Sequence, residues 1–370
     1  MQQYYKGQSA YIHPDAFHTC INGAQTNVFI LKNKNGLAAG FCNYGARWIS
    51  FVVPDRNGQY GDIVLGFDSI QQYLDAEESY HGAVIGRVAG RIRQGSFELN
   101  DEWYKLSINE RFSADVYNHL HGGKNSFSFR VWEGKKEINK EGEESVQFTY
   151  CSPNGEEGYP GTLIVSVTYT LTNDNAVKIE YRAHTDRLTP VSLSNHAYFN
   201  LNGSGVSSIL DHSLQISAKT FLEFEPQNFC VTGKILPVEN TPMNFMHLKT
   251  IGVDINSDHY QLIDSSGYNI YYVLEKNKHM ADAVLQSSLS GRRLEISTTE
   301  PGLQLYCAGY WSGKDRGKNN SLYAKYSGVA LETHGYPDAL HHPEFPGILL
   351  QPSQEYRQVT IYRFSNFETS

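Results

Sequence analysis

This 370-residue chain predicts an all-β fold: a large antiparallel β-sandwich with few short helices. Three observations point there. Apolar and polar residues alternate with period two in several segments. Tyrosine is abundant (25, against 4 methionines), and aromatic and β-branched residues suit pleated, half-buried strands. The strand–helix–strand alternation of a parallel sheet is missing.

In chain order, "FVVPDRNGQYGDIVLGF" (51–67) reads as two strands, with Pro54 opening a turn and Asn57-Gly58 closing it. "DSIQQYLDA" (68–76) is the one convincing helix, capped by Asp68 or Ser69, with Ile70, Tyr73 and Leu74 on one face. In "LIVSVTYTLTNDNAVKIEYRA" (163–183), Val165, Val167, Tyr169 and Leu171 alternate with Ser166, Thr168 and Thr170. The turn "TNDN" follows, and then Val177, Ile179 and Tyr181 alternate in turn. That is an antiparallel hairpin with one buried face. "RQVTIYRF" (357–364) is a final strand. "NKEGEES" (139–145) and "SGKDRGKNNS" (312–321) read as solvated loop tips rather than hinges, so residues 1–370 are expected to form a single domain.

Composition limits the function. Hydrophobic residues make up 40% and charged residues 19%, and the net charge is −8. A negative chain lacks the basic face that nucleic acid or an anionic membrane requires, whereas a neutral ligand such as a sugar is compatible. The N-terminus, "MQQYYKGQSAYIHPD", has no apolar core of a signal, and no apolar run reaches the ~18 residues of a membrane span. The cysteines Cys20, Cys42, Cys151, Cys230 and Cys307 are odd in number and form no CxxC, which reads as reduced thiols in a cytoplasmic protein.

Four segments concentrate groups that could carry chemistry. In "GAVIGRVAGRIRQGSF" (82–97), Arg91 and Arg93 flank Ile92 and so share one face of a strand. The glycines at 82, 86, 90 and 95 favour a closely packed backbone around an inward arginine. In "YNHLHGGKNSF" (117–127), His119 and His121 are spaced to point the same way. A metal would need further ligands, and Asn118 and Lys124 are poor ones; the competing reading is a histidine aimed at a ligand across the Gly122-Gly123 turn. "PVSLSNHAYFNL" (190–201) carries His196, a core histidine or a catalyst, with Asn195, Tyr198 and Asn200 nearby and Tyr198 on the same side. In "ALETHGYPD" (330–338), an apolar run ends on Glu332: a cap, an ion-pair partner or, if buried, a base of raised pKa. No Gly-x-Ser-x-Gly, P-loop or dinucleotide fingerprint is present, so nucleotide chemistry and serine hydrolysis have no support.

Together these segments resemble the aldose 1-epimerase (galactose mutarotase) family. The resemblance runs from "NGLAAGFCNYGARWISFVVPDRNGQYGDIVLGFDS" to "LLQPSQEYRQVTIYRF", through "GAVIGRVAGRI", "LHGG", "GEEGYPGTLIVSVTYTL", "SNHAYFNL", "TTEPGLQLY" and "SGVALET". It implies a galactose mutarotase-like sandwich with a monosaccharide site on one face. By motif, Glu332 is implied as general base and His196 as general acid. Arg91, His121, Tyr198 and Gln304 are implied as sugar contacts, with no metal and no other cofactor. Anomers would interconvert by removal of the C1 hydroxyl proton, protonation of the ring oxygen, rotation, and closure with roles reversed.

Departures from the pattern are informative. The family's usual aspartate in the segment matching "SGYNIYYVL" is Asn269 here, which still accepts a hydrogen bond but without charge. Gly90 stands where an asparagine often precedes the arginine, and Thr333-His334-Gly335-Tyr336 follows the base. These changes touch the choice of aldose, galactose or glucose, more than the reaction. A hexose-phosphate mutarotase and a non-catalytic sugar-binding or sensory module are the alternatives. Glycoside hydrolysis is disfavoured because two carboxylates are needed and the sequence places one. A monomer and a homodimer are equally compatible.

Overall fold

The architecture follows from period-two patterning in strands that pair almost wholly antiparallel. In the computed structural model, which describes residues 12–205, 208–276 and 280–368, a nine-stranded and a six-stranded sheet dominate. The nine-stranded sheet centres on the predicted hairpin, Leu163–Leu171 paired with Ala176–Thr185, and on the final strand Tyr356–Asn366. In this hairpin Val165, Val167, Tyr169, Ile179 and Tyr181 are buried, as their alternation requires. The six-stranded sheet runs in the order Tyr198–Phe199, Val329–His334, Gly302–Tyr306, Asn269–Val273, Thr220–Phe224, Val231–Pro237.

The inner faces of both sheets share one core. Phe199, Phe221, Ile270, Tyr272, Leu303, Leu305, Val329 and Leu331 of the smaller sheet join Val165, Val167, Tyr181, Leu294, Tyr362 and Phe364 of the larger. Polar ties cross the core: the Tyr362 hydroxyl donates to the Leu331 carbonyl (3.1 Å), and Thr333 Oγ1 lies 2.7 Å from Thr360 Oγ1. Because successive side chains in a strand point oppositely, burying Leu331 and Thr333 inward turns Glu332 and His334 to the outer face. The same alternation turns out Gln304 and Tyr306, Asn269 and Tyr271, Leu222, and Tyr198. Glu332, Gln304, Asn269 and Tyr198 therefore share the outer face of the six-stranded sheet.

Several details depart from the sequence reading. Ser69 caps the helix Ile70–Asp75 as expected, but Leu74 is 43% exposed; the packing stripe is Ile70 and Tyr73. Residues 312–321 are not a loop tip. Ser312–Arg316 pairs with Leu322–Ala324, and Lys318 is buried, with Nζ 2.6 Å from Asp62 Oδ2 and 2.8 Å from the Val64 carbonyl. Glu332 lies inside its strand rather than at the end, since the ladder continues to His334. All five cysteines are unpaired thiols. No helix among the described residues is long and apolar enough to cross a membrane. Most of the N-terminal segment, residues 1–11, lies outside the described residues.

Candidate active site

The strand register lays out the floor of a cavity of about 290 Å³. Glu332, Gln304 and Tyr271 sit opposite one another on adjacent strands, as do Ala330, Tyr306 and Asn269 in the neighbouring row. The far wall comes from the strand Arg91–Arg93, the turn after Tyr117–Leu120, and the connections carrying Glu78, Tyr80 and His196. Every site residue expected from the sequence lines this one cavity: Arg91, His121, His196, Tyr198, Asn269, Gln304 and Glu332.

His196 and Glu332 face each other, Nε2 to Oε1, at 3.5 Å, and both are nearly inaccessible to solvent (5% and 2%). His196 Nδ1 and Glu332 Oε2 have no hydrogen-bond partner among the described residues. Burial pushes the Glu332 carboxyl up to about 8; the nearby Glu78 adds to this and Arg91 opposes it. Burial likewise holds His196 down at about 3, with His334 and Arg47 adding positive field. At neutral pH the pair therefore holds one proton. Removing charge from water disfavours carboxylate and imidazolium alike, so a shared neutral proton is what a dry site selects.

Arg91 is clamped by Glu110, with Nε to Oε2 at 2.8 Å and Nη2 to Oε1 at 2.7 Å. Although burial opposes its charge, Glu110 outweighs it and raises the Arg91 pKa. Arg93 shares the strand face but bonds Glu225 and Asp338 outside the cavity.

The paired-histidine reading is corrected. The strand ends at Leu120, and His121 takes a left-handed backbone (φ 51°), so it turns away from His119. His119 is buried, its ring nitrogens held by the Ser107 carbonyl (2.7 Å) and the Tyr159 hydroxyl (2.8 Å). Gly122 continues the turn with positive φ, and a Cβ there would collide with the Gly86 carbonyl. His121 instead approaches His196 (ring centroids 5.4 Å) and, with Glu332, forms a group of three potential metal-binding side chains. Its hydrogen bonding is that of a donor, however. The Gly90 N–H donates to His121 Nδ1 (3.2 Å), which leaves the proton on Nε2. A metal-bound imidazole ordinarily has the reverse arrangement, its second nitrogen donating to an acceptor.

The lone-carboxylate argument is also corrected, because Glu77, Glu78 and Glu110 line the cavity beside Glu332. Sequence reasoning missed these, along with Tyr80, Tyr271, Tyr306, Tyr310 and His334. Tyr271 and Tyr306 could have been found by stepping two residues from Asn269 and Gln304. Glu78 lies on a connection and Glu110 on the two-residue strand Glu110–Arg111, too short for period-two patterning to reveal.

Comparison with known proteins decides the family. Residues 27–363 match the aldose 1-epimerase family model. The chain belongs to the aldose 1-epimerase family. As an aldose 1-epimerase it is an isomerase. It is 39% identical to galactose mutarotase of Homo sapiens over 89% of this chain and 91% of that one. It is 36% identical to aldose 1-epimerase of Haemophilus influenzae over 93% and 97%. Among solved structures, galactose 1-epimerase from Lactobacillus acidophilus superposes with a TM-score of 0.82 at 26% identity, covering 95% and 97% of the two chains.

Proposed function

We propose that this aldose 1-epimerase interconverts the α and β anomers of a free aldose, with Glu332 and His196 as the proton-transfer pair. What carries the reading is one pair, buried, 3.5 Å apart and holding one proton between them, with Glu332 on the floor and His196 on the facing wall of a cavity of about 290 Å³. Ring opening needs one group to take the C1 hydroxyl proton and another to give a proton to the ring oxygen. After rotation about C1–C2, closure needs the reverse. A pair with one shared proton is therefore regenerated by each half-reaction. Each positioned acid or base contributes roughly 10²–10⁴-fold. In opening, Glu332 acts as the base and His196 as the acid, which requires the pair's proton to pass from the Glu332 carboxyl to His196 Nε2, 3.5 Å away, when the sugar binds. His121 donates from Nε2 to a sugar oxygen, and Arg91, Tyr198, Asn269 and Gln304 complete the sugar contacts.

The hexose-phosphate alternative fares worse. Arg91 is the one arginine or lysine among the described lining residues, and Glu110 already occupies its fork, while Glu77 and Glu78 add negative field against a phosphate. A purely binding module has no use for a buried acid–base pair that costs the fold two unpartnered atoms.

The test is polarimetry on pure α-D-galactose and α-D-glucose. Glu332→Gln and His196→Asn are each expected to cut kcat/KM by about 10²-fold or more with the fold intact by circular dichroism. Either folded variant turning over at the parent rate refutes the assignment.

A further inference from the structure

Glu78 belongs to none of the motifs in the sequence, yet it occupies a junction in the site. Its Oε2 accepts a hydrogen bond from the Tyr198 hydroxyl, and its Oε1 accepts one from the backbone N–H of Tyr80, both at 3.0 Å. Those two tyrosines flank His196. The Tyr198 ring lies 4.8 Å from the imidazole at 43°, and the Tyr80 ring stacks on it at 6.0 Å and 20°. His121 closes a third side, edge-on at 5.4 Å. The imidazole makes no hydrogen bond through Nδ1, so ring packing, together with its own backbone, is what orients it.

Glu78 is itself held in place. The N–H groups of Glu77 and Glu78 donate to the two oxygens of Asp315 (2.9 and 3.0 Å), and Glu77 pairs with Lys314 (2.7 Å). Glu78 has no cation within ion-pair distance among the described residues. Its partners are a hydroxyl and an N–H, which leave its charge uncancelled.

We propose that Glu78 is a positioning residue for the proton-transfer pair: through Tyr198 and Tyr80 it fixes the ring of His196, and its charge sets the alkaline end of the pH range in which the pair works. The inference rests on the reading of Glu332 and His196 above.

The charged and titratable groups around it fix the sign. On the Glu78 side, Glu77 is neutralised by Lys314, Asp315 is engaged by two N–H groups, and Arg47 acts from the core strand behind. On the pair, Arg91 opposes Glu78 at Glu332; Arg47 and His334 act on His196, with His81 and His121 also near it. Tyr80, Tyr198 and Tyr306 face the site as neutral phenols, because burial pushes each well above the ordinary tyrosine value. A negative charge favours the proton-bound form of a neighbour, so Glu78 moves the ionisation of Glu332 upward in pH; burial raises the Glu78 carboxyl too, so it carries no charge where His196 titrates.

Three variants separate charge from position. Glu78→Gln keeps an acceptor but removes the charge. The alkaline limb of the kcat/KM profile is expected to move to lower pH by roughly half a unit, the scale of one screened charge across a pocket, with the acid limb unmoved. Tyr198→Phe keeps the charge but cuts the tether, so kcat should fall about tenfold with the profile unmoved. Glu78→Ala should show both effects. KM for galactose should change by less than about threefold in Glu78→Gln and Glu78→Ala, since Glu78 acts through His196 and not on the sugar, whereas Tyr198→Phe also removes a sugar contact and is read on kcat and the pH profile alone.

A Glu78→Gln protein with lowered Tm and an unmoved profile would show a purely structural acid and overturn the inference. An unmoved profile together with parent-like kcat in Tyr198→Phe would overturn both halves of it. If Glu78→Ala does not fold, the other two variants still decide. Parent-like turnover in Glu332→Gln or His196→Asn would instead overturn the underlying assignment of the pair.

Discussion

Replacing Glu332 by glutamine should stabilise the protein in mildly alkaline solution while ending its activity. In an unfolded chain the carboxyl titrates near 4.5; in the folded site burial raises it to about 8. Between these values the native state binds a proton that the unfolded state has released, so stability falls as pH rises. Each pH unit in that window costs the native state about 1.4 kcal/mol. Across the roughly three units from pH 5 to pH 8 the loss attributable to Glu332 is about 4 kcal/mol, a large part of a typical folding free energy. Glutamine has nothing to ionise and escapes it. Every other titrating group is shared by the two proteins and cancels in the comparison. Urea unfolding of both at pH 5, 6, 7 and 8, followed by tryptophan fluorescence, gives the difference by linear extrapolation. The variant's advantage should grow steadily with pH. A gap constant from pH 5 to pH 8 would mean that Glu332 is already ionised in the native site, and it would refute the shared-proton description.

The free enzyme's kcat/KM should be bell-shaped, as the singly protonated pair is the working form. Its alkaline limb should lie near the value of about 8 set by burial of Glu332, and its acid limb well below the ordinary histidine range, set by burial of His196. Activity that rises through pH 8 would refute this. Asn269→Asp should lower KM for galactose about fivefold, with less change in kcat. Gln304 Nε2 donates to Asn269 Oδ1 at 2.7 Å, so aspartate keeps that bond and replaces the Nδ2 donor by a charged acceptor, worth about 1 kcal/mol to a sugar hydroxyl bound there. A KM unchanged for galactose, glucose and a pentose alike refutes a sugar contact at this position.

What could be read from the sequence follows the period of the strand. Leu163–Leu171, Ala176–Thr185 and Tyr356–Asn366 were legible because one face is buried and the other wet, which alternation records directly. Gln304 and Glu332, remote in sequence, meet across a ladder that no single-strand pattern reveals; the family motifs marked both, but their pairing comes from the fold. His121 was misread in direction because its left-handed backbone breaks the alternation that the His-x-His spacing assumes. Lys318 was misread as solvent-facing because its partners, Asp62 and the Ile49 and Val64 carbonyls, lie some 250 residues earlier in the chain. Glu78 and Glu110 escaped notice for the same reason: tertiary contacts alone give them their place.

The placement of the proposed pair explains why holding it there is costly and why it suits proton transfer. The six-stranded sheet hands its inner residues to the core and its outer residues to the cavity, so Leu331 and Glu332 are neighbours in one rigid ladder with opposite tasks. Rigidity from the core side is therefore transmitted to the carboxylate by a single peptide bond. Threonine 333 repeats the arrangement on the other side of Glu332: its carbonyl accepts from Gln358 Nε2 at 2.9 Å, tying the strand to the nine-stranded sheet. A loop would lend no such anchorage. The cost is a carboxyl and an imidazole held out of water with Glu332 Oε2 and His196 Nδ1 unpartnered. Hydrogen-bonding capacity left unused by the fold is capacity that a sugar's hydroxyls and ring oxygen can engage on binding, and the same desolvation that weakens the empty fold brings the pair to its single-proton state.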